Sequence, residues 1–442
     1  MTTLNAEHMR AAYIRETGPV DSIVVGDLPI PRPGPGSVLV HNSVMAVNHV
    51  DTFIRAGAYA TPLPAGVPFV VGRDLAGTVV EVGSGVTGFA VGDAVWCNSM
   101  GHDGRQGSFS DYSVVPADRL YPLPAGVTPE TVMSVAHTGA TAYLGLVREA
   151  GLRIGETVFI GGAAGGVGSA AVQLARAAGA RVLASCAPHD AEWVRSCGAD
   201  EVFDRTDPAL LERVYASASS GIDVWWDTTG RLDLTAVLPL VRRGGRVVVT
   251  AGATGPGFTL TPASFYTRDI QLRGFALSNA SVANLAEAAA SLNALLTRGG
   301  FKSRVAKVLS LEEAASAHRL MESHAAPGKL LVKPGTARPK PHAPGAGVGA
   351  GVGAGAAGAA ARGASSGAVP AARPAPHAKP HAGSAQRTDP APKPAAPKPA
   401  APKPAAHQSA APQSAAPQSA PTASPNPAEP KPAPKPAPKP AP

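Results

Sequence analysis

The chain has 442 residues, 45 prolines and a formal charge of +8, and both proline and charge gather at one end. From Pro334 onward lie 27 of the prolines, twelve Lys and Arg, only two acids, and no Phe, Trp, Tyr or Cys; such a segment cannot bury enough apolar surface to offset the entropy of ordering. The tail therefore carries +10 and the body −2, so the basic balance is no sign that the folded part binds nucleic acid.

In chain order, the N-terminus is polar and charged, unlike a signal peptide. No run of about 18 apolar residues follows, so no membrane insertion is expected and a cytoplasmic protein is the default. Residues 38–47, 76–83, 93–97 and 111–116 are short Val-rich runs punctuated by Gly and Pro, which predicts a β-rich barrel or sandwich. From about Val132 the rhythm becomes strand–helix alternation. Strands are predicted at 156–162, 180–186, 201–204, 221–227, 246–252 and 270–276, with a helix at 169–179. Apolar strands joined by helices imply a parallel sheet covered on both faces, and six of them suggest a doubly wound nucleotide-binding sheet. A helix at 278–299 is expected to close that unit. The segments 305–323 and 329–334 are expected to return to the barrel. Residues 343–369 have a flexible Gly/Ala linker composition, and 370–442 repeat APKP and AAPQS units that favour extended polyproline II. A disordered, solubilising tail over 335–442 is expected.

The run Gly161-Gly162-Ala163-Ala164-Gly165-Gly166-Val167-Gly168 lies between a predicted strand and a predicted helix. Glycines let backbone approach a pyrophosphate closely, and a helix N-terminus offers free N–H groups with a favourable dipole. The strand before, the helix after and a further βα unit are the context a dinucleotide site needs; a plain turn is the rival reading. The next strand ends Ala184-Ser185-Cys186-Ala187, with no acid before Asp190. An NAD site usually carries an acid there for the ribose 2′-hydroxyl, so the small end leaves room for a 2′-phosphate and favours NADPH. His189, Arg195 and Arg205 are candidate cations, or else solvated surface charges.

Four stretches, VNHVDTFIRAGAY (47–59), GRDLAGTVVEVGSGVTGFAVGDAVW (72–96), GGAAGGVGSAAVQLARAAGARV (161–182) and GADEVFDR (198–205), together with GKLLVKP (328–334), carry a resemblance. The chain resembles the medium-chain dehydrogenase/reductases, in the quinone oxidoreductase or zeta-crystallin-like branch, over about residues 10–334. The resemblance implies an α/β protein with a GroES-like β-barrel catalytic domain (1–132 and 300–334) and a Rossmann cofactor-binding domain (133–299), with a cleft between them. It implies that Gly165, Gly166, Val167 and Gly168 hold the pyrophosphate. Thr141 and Asn48 would lie near the nicotinamide, with Tyr59 in the cleft. Phe53 stands where members often have a second tyrosine. Asp190 and His324 replace a Lys and an Arg that some members use toward the 2′-phosphate, which keeps NADH open. A homodimer or homotetramer is implied as well.

Zinc alcohol dehydrogenases of this superfamily need a Cys early in the barrel and a His-Glu pair after it, matching zinc's taste for thiolate and imidazole. Here those positions read Asn48 and Gly72-Arg73-Asp74, so no metal is expected. His49, His102 and His137 are expected in surface or packing roles. Cys97, Cys186 and Cys197 have no partners at ligand or nucleophile spacing. Without a Lewis acid, ordinary alcohol oxidation is disfavoured. A quinone is already electrophilic, so holding it against the nicotinamide does most of the work. NADPH-dependent quinone reduction is therefore expected, with Asn48, Phe53 and Tyr59 lining the site and Ser185 and Arg205 at the ribose. An enone or enoyl reductase is the sister possibility, with Tyr59 or His49 as proton donor. A nucleotide-binding scaffold or redox sensor with an interaction tail is the rival from another class. Trp225 and Trp226 read as bulk for the two sheet faces, and Asp227 as a strand-end hydrogen-bonding group.

Overall fold

The structure is a computed structural model that describes residues 7–59, 61–63, 66–253, 255 and 257–335. Beyond Gly335, the tail expected from composition lies outside the described residues. Eight strands come first: β1 (His8–Ile14), β2 (Val24–Pro29), β3 (Ser37–Ala46), β4 (Phe69–Val70), β5 (Asp74–Val82), β6 (Ala94–Cys97), β7 (Tyr112–Pro116) and β8 (Tyr121–Pro122). The strands β2, β1 and β4 form a small antiparallel sheet. The strands β3, β5, β6 and β8 run side by side in a larger one, with β7 also on β3. Two helices accompany these strands, α1 (His49–Ala56) between β3 and β4 and α2 (Pro129–Tyr143) after β8. Thr128 starts α2 by accepting the Thr131 N–H at 3.2 Å, with Pro129 at the first helical position.

The second half alternates. It runs β9 (Thr157–Gly161), α3 (Gly166–Ala177), β10 (Arg181–Cys186), α4 (Ala191–Ser196), β11 (Glu201–Asp204), α5 (Leu210–Ser217), β12 (Ile222–Asp227), α6 (Leu234–Val237), β13 (Val241–Val249), α7 (Pro262–Tyr266), β14 (Gln271–Gly274) and α8 (Val282–Thr297). Its six strands are all parallel, in the order β11-β10-β9-β12-β13-β14. This is the doubly wound arrangement, and its order reverses at β9 and β12, where such sheets take their ligands beyond the strand C-termini. Trp225 and Trp226 are buried on opposite faces of β12, against Phe159 and near Phe275 respectively. The turn after α2 makes room for the second indole: a Cβ on Gly145 would sit 2.3 Å from Trp226. The chain then returns. The strands β15 (Val305–Ser310) and β16 (Lys329–Lys333) pair with each other in parallel, and β16 pairs antiparallel with β3, on either side of α9 (Ala314–Glu322).

One core residue has a predictable pH signature. His318 on α9 is 0% exposed, and neither ring nitrogen has a hydrogen-bond partner among the described residues. Burial, reinforced by nearby Arg55, pushes its pKa down to about 3. Below the free imidazole pKa the unfolded chain takes up a proton that the folded one refuses, so stability falls as pH drops from 6.5 toward 3. His318→Leu is expected to flatten that slope and to stabilise the protein by about 1–2 kcal/mol at pH 5. Urea melts of both proteins at pH 5 and 7.5 check this; parallel loss of stability in both would contradict it.

Candidate active site

The glycine turn is built from backbone. Strand β9 stops at Gly161, and Gly162 turns the chain with φ +70°. Gly165 is the N-cap of α3 and has no side chain to cap it. The first-turn N–H groups of Gly166, Val167 and Gly168 are thus open to an anion at a helix N-terminus. The turn is tight enough to demand glycine at Gly168, where a Cβ would lie 2.3 Å from the Gly162 carbonyl oxygen and 2.8 Å from Ala163 Cα. The Ala163 N–H donates to the Ser185 carbonyl at 2.9 Å, which ties the turn to the end of β10.

The arrangement beyond β10 reaches the residues expected at the ribose. Ser185 is buried, and Arg205 is exposed, its N–H donating to the Cys186 carbonyl at 2.9 Å. Asp190 is engaged elsewhere: both terminal nitrogens of Arg304 reach its Oδ1, at 3.0 and 3.1 Å. That guanidinium also lies 4.5 Å above the Trp193 ring. Asp190 is therefore partly neutralised rather than a bare acid. His324 lies against His49, with Nε2 and Nδ1 3.4 Å apart.

Helix α2 links this end to a buried polar cluster. Thr138 abuts the glycine turn, with its Cγ2 2.8 Å from where a Gly166 Cβ would stand. One residue earlier, His137 Nδ1 comes to 3.6 Å from Asp74 Oδ1, just beyond a hydrogen bond. One turn later, the Thr141 hydroxyl donates to the His137 carbonyl at 2.8 Å.

Asn48 organises the cluster. As N-cap of α1, its N–H donates to Asp51 Oδ2 at 2.8 Å. Its side-chain Nδ2 donates to Asp74 Oδ2 at 3.0 Å, and its Oδ1 accepts from Lys329 Nζ. These partners fix the amide's orientation, and the Asn48 side chain is spent joining a buried ammonium to a buried carboxylate. Burial works to raise the Asp74 pKa, but His137, Lys329 and Asn48 outweigh it and hold it below the usual carboxylate range. Burial holds Lys329 below an ordinary lysine despite Asp74 and Asp51. Asp51 is raised to about 7, by burial first and by Asp74 second. Burial also lowers the His137 pKa, against the pull of Asp74.

Around this cluster, Tyr59 donates its N–H to the Phe53 carbonyl at 3.2 Å, and its ring meets His102 edge-on at 5.9 Å. Phe53 is half-buried on α1. Tyr59 and Asn48 are linked through α1, whereas the glycine turn joins them only by way of α2. His137, expected as a surface or packing residue, belongs to the polar cluster, its side chain 13% exposed. Lys329 was not singled out from sequence, although the GK pair opening the last apolar run was its one visible signal. Asp227 keeps the strand-end role, its Oδ1 accepting from the Thr229 N–H at 2.7 Å.

The donor set at the zinc positions of the alcohol dehydrogenases does not suit zinc. Arg73 offers no lone pair, and the Asn48 oxygen is taken by an ammonium. Among the described residues no three His, Cys, Asp or Glu side chains group as metal ligands.

Residues 34–125 match the family model of the alcohol dehydrogenase GroES-like domain, and residues 166–292 match that of zinc-binding dehydrogenases. A quinone oxidoreductase of Sus scrofa is 33% identical over 319 residues, 71% of this chain and 94% of that protein. A 2-haloacrylate reductase of Burkholderia sp is 31% identical over 344 residues, 73% and 98% of the two chains. A mycobacterial protein solved in complex with NADPH superposes with a TM-score of 0.65 at 28% identity, covering 74% of this chain and all of that one. With its glycine turn at the switch point of a Rossmann sheet and a GroES-like unit beside it, the chain belongs to the medium-chain dehydrogenase/reductase superfamily, in the quinone oxidoreductase branch.

Proposed function

We propose that the chain is an NADPH-dependent, zinc-independent reductase of quinones. The observation that carries this reading is the linkage through α2: Thr138 seats the glycine turn while His137, one residue away, faces Asp74 in the Asn48 cluster. A dinucleotide on that turn would extend its nicotinamide toward the cluster, and when bound it would supply a hydride at ring carbon C4. Gly165, Gly166, Val167 and Gly168 would hold the pyrophosphate, and Thr141 and Asn48 would flank the nicotinamide. Phe53 and Tyr59 form the wall on which the acceptor rests, and the buried Lys329 ammonium lends positive potential to an oxygen gaining charge. The quinol oxygens take their protons from water. The Burkholderia relative favours a second reading, reduction of an activated carbon–carbon double bond.

Oxidation of NADPH and NADH by purified protein, with 1,4-benzoquinone or 9,10-phenanthrenequinone and a chelator, tests the first reading. Chelator-resistant, quinone-dependent NADPH turnover is expected; turnover on enones alone would move the assignment to the second. The cofactor preference rests on Arg205 and the neutralised Asp190. Arg205→Ala is expected to raise the KM for NADPH about tenfold, the loss of one charged hydrogen bond, with little change for NADH. Equal effects on both cofactors would remove Arg205 from the 2′-phosphate site.

A further inference from the structure

The ion pair of Asp190 and Arg304 lies at the edge of the glycine turn, and it is one-sided. Both terminal nitrogens of Arg304 reach the same oxygen, Oδ1, at 3.0 and 3.1 Å, while Oδ2 faces His189 Nε2 at 3.5 Å. One of those nitrogens also donates to the Ala164 carbonyl at 3.3 Å. Ala164 directly precedes Gly165, the N-cap of α3. The guanidinium thus bridges the turn to the segment that follows β10, whose last residues Ser185 and Cys186 are buried. In a doubly wound sheet the group that reads the ribose 2′ position follows that strand. Arg304 is delivered there from between α8 and β15, 114 residues after Asp190.

Two features make the pair exchangeable. The side chains of Arg304 and Asp190 are 30% and 18% exposed, and an ion pair open to water contributes little to stability. The guanidinium also has a second support, since its central carbon lies 4.5 Å above the Trp193 ring. That stacking holds its place when its anionic partner changes. A phosphate is the stronger partner. It carries more charge than a carboxylate and a third acceptor oxygen, and it takes two parallel N–H bonds from one guanidinium.

We propose that Arg304 recognises the 2′-phosphate of NADPH and that Asp190 is its internal competitor, an acid that the phosphate must displace. This rests on the dinucleotide reading of the glycine turn and deepens it by naming the residues that discriminate the two cofactors. As the pair stands, Asp190 holds the cation that the phosphate needs. NADPH draws Arg304 away from the acid, whereas NADH brings nothing to displace it and leaves the pair closed. Asp190 therefore lowers NADPH affinity with little effect on NADH, and Arg304 serves NADPH alone. A purely structural ion pair has a different signature: loss of either partner loosens the turn and weakens both cofactors alike.

The test is binding, not turnover: fluorescence titration of the full chain with NADPH and NADH, and displacement of bound NADPH by 2′,5′-ADP. Asp190→Asn is expected to tighten NADPH and 2′,5′-ADP about tenfold while NADH does not tighten. Arg304→Gln is expected to weaken NADPH and 2′,5′-ADP at least about tenfold, with less than about a twofold loss on NADH. NADPH binding that is unchanged or weaker in Asp190→Asn overturns the proposal, and so do equal losses on both cofactors in Arg304→Gln. If Arg304→Gln does not fold, Arg304→Lys decides. It keeps the charge but loses the parallel N–H pair, so it should lose several-fold on NADPH alone, and equal losses refute the assignment. If the wild type binds neither cofactor, the dinucleotide reading falls and the proposal with it. If cofactors bind but no acceptor is reduced, the reductase reading falls, and the same titrations still judge Arg304 and Asp190.

Discussion

Gly168→Ala is expected to abolish measurable dinucleotide binding and to lower the melting temperature by roughly 5–10 °C, whereas Gly165→Ala should melt near the wild type and weaken binding only. The two glycines lie in one turn but carry different constraints. At Gly168 the new methyl would stand 2.3 Å from the Gly162 carbonyl oxygen and 2.8 Å from Ala163 Cα, both backbone atoms that no rotamer change can move. The turn must open, and with it the tie from the Ala163 N–H to the Ser185 carbonyl. At Gly165 the nearest atom is the Gly162 oxygen at 3.4 Å, and φ is an ordinary −70°. A methyl there fits the protein and intrudes only on what approaches the helix N-terminus. Fluorescence titration with NADPH and thermal melts separate the two. Should Gly165→Ala bind as tightly as the wild type, the pyrophosphate is not at this turn.

The glycine turn was legible because its chemistry is local: strand, turn and helix are consecutive, and the residue types that permit close approach are written side by side. The six parallel strands were legible for the same reason, each being a short apolar run between helices. Their edges were less so. Strand β13 begins at Val241, five residues before the Arg246-Val247 run that announced it, because Val241 pairs with Ile222 across an irregular register. Its Arg242-Arg243-Gly244-Gly245 segment has the composition of a turn. The polar cluster was legible only in its first member. Asn48 stood out by its neighbours in the chain, but the lysine on its amide is 281 residues away. Only the return of β16 onto β3 brings them together. A lone buried lysine in an apolar run reads as a strand-end charge until its partners are known. The same holds for His137, whose place beside Asp74 depends on how α2 packs between β3 and β5 on one side and α3 and α8 on the other.

Lys329→Met is expected to destabilise the protein by about 3–5 kcal/mol at neutral pH, since it removes a cation that, with His137, offsets the burial of the Asp74 carboxylate and leaves the Asn48 oxygen without its donor. The pH dependence identifies the cause. In the wild type Asp74 is held below the ordinary carboxylate range, so its contribution to stability is present above the unfolded pKa and is lost as pH falls through the folded one. Without the ammonium, burial dominates and the Asp74 pKa rises above its unfolded value. The sign then reverses: the folded state prefers the protonated acid, and stability declines as pH climbs from about 4 toward 7. The deficit relative to wild type should therefore shrink at pH 5. Lys329→Met combined with Asp74→Asn should recover much of the loss, because both charges are gone and the Asn48 amide can turn to serve the new one. Urea unfolding of the four proteins at pH 5 and 7.5 completes the cycle. A deficit that is independent of pH and additive with Asp74→Asn would mean that Lys329 acts by packing alone. If the cycle closes as expected and the chain reduces quinones as proposed, that turnover should survive worst in Lys329→Met, where a carboxylate with one cation fewer would lie beside an oxygen that gains negative charge. The double variant, with a neutral site, should do better despite lacking two charged groups.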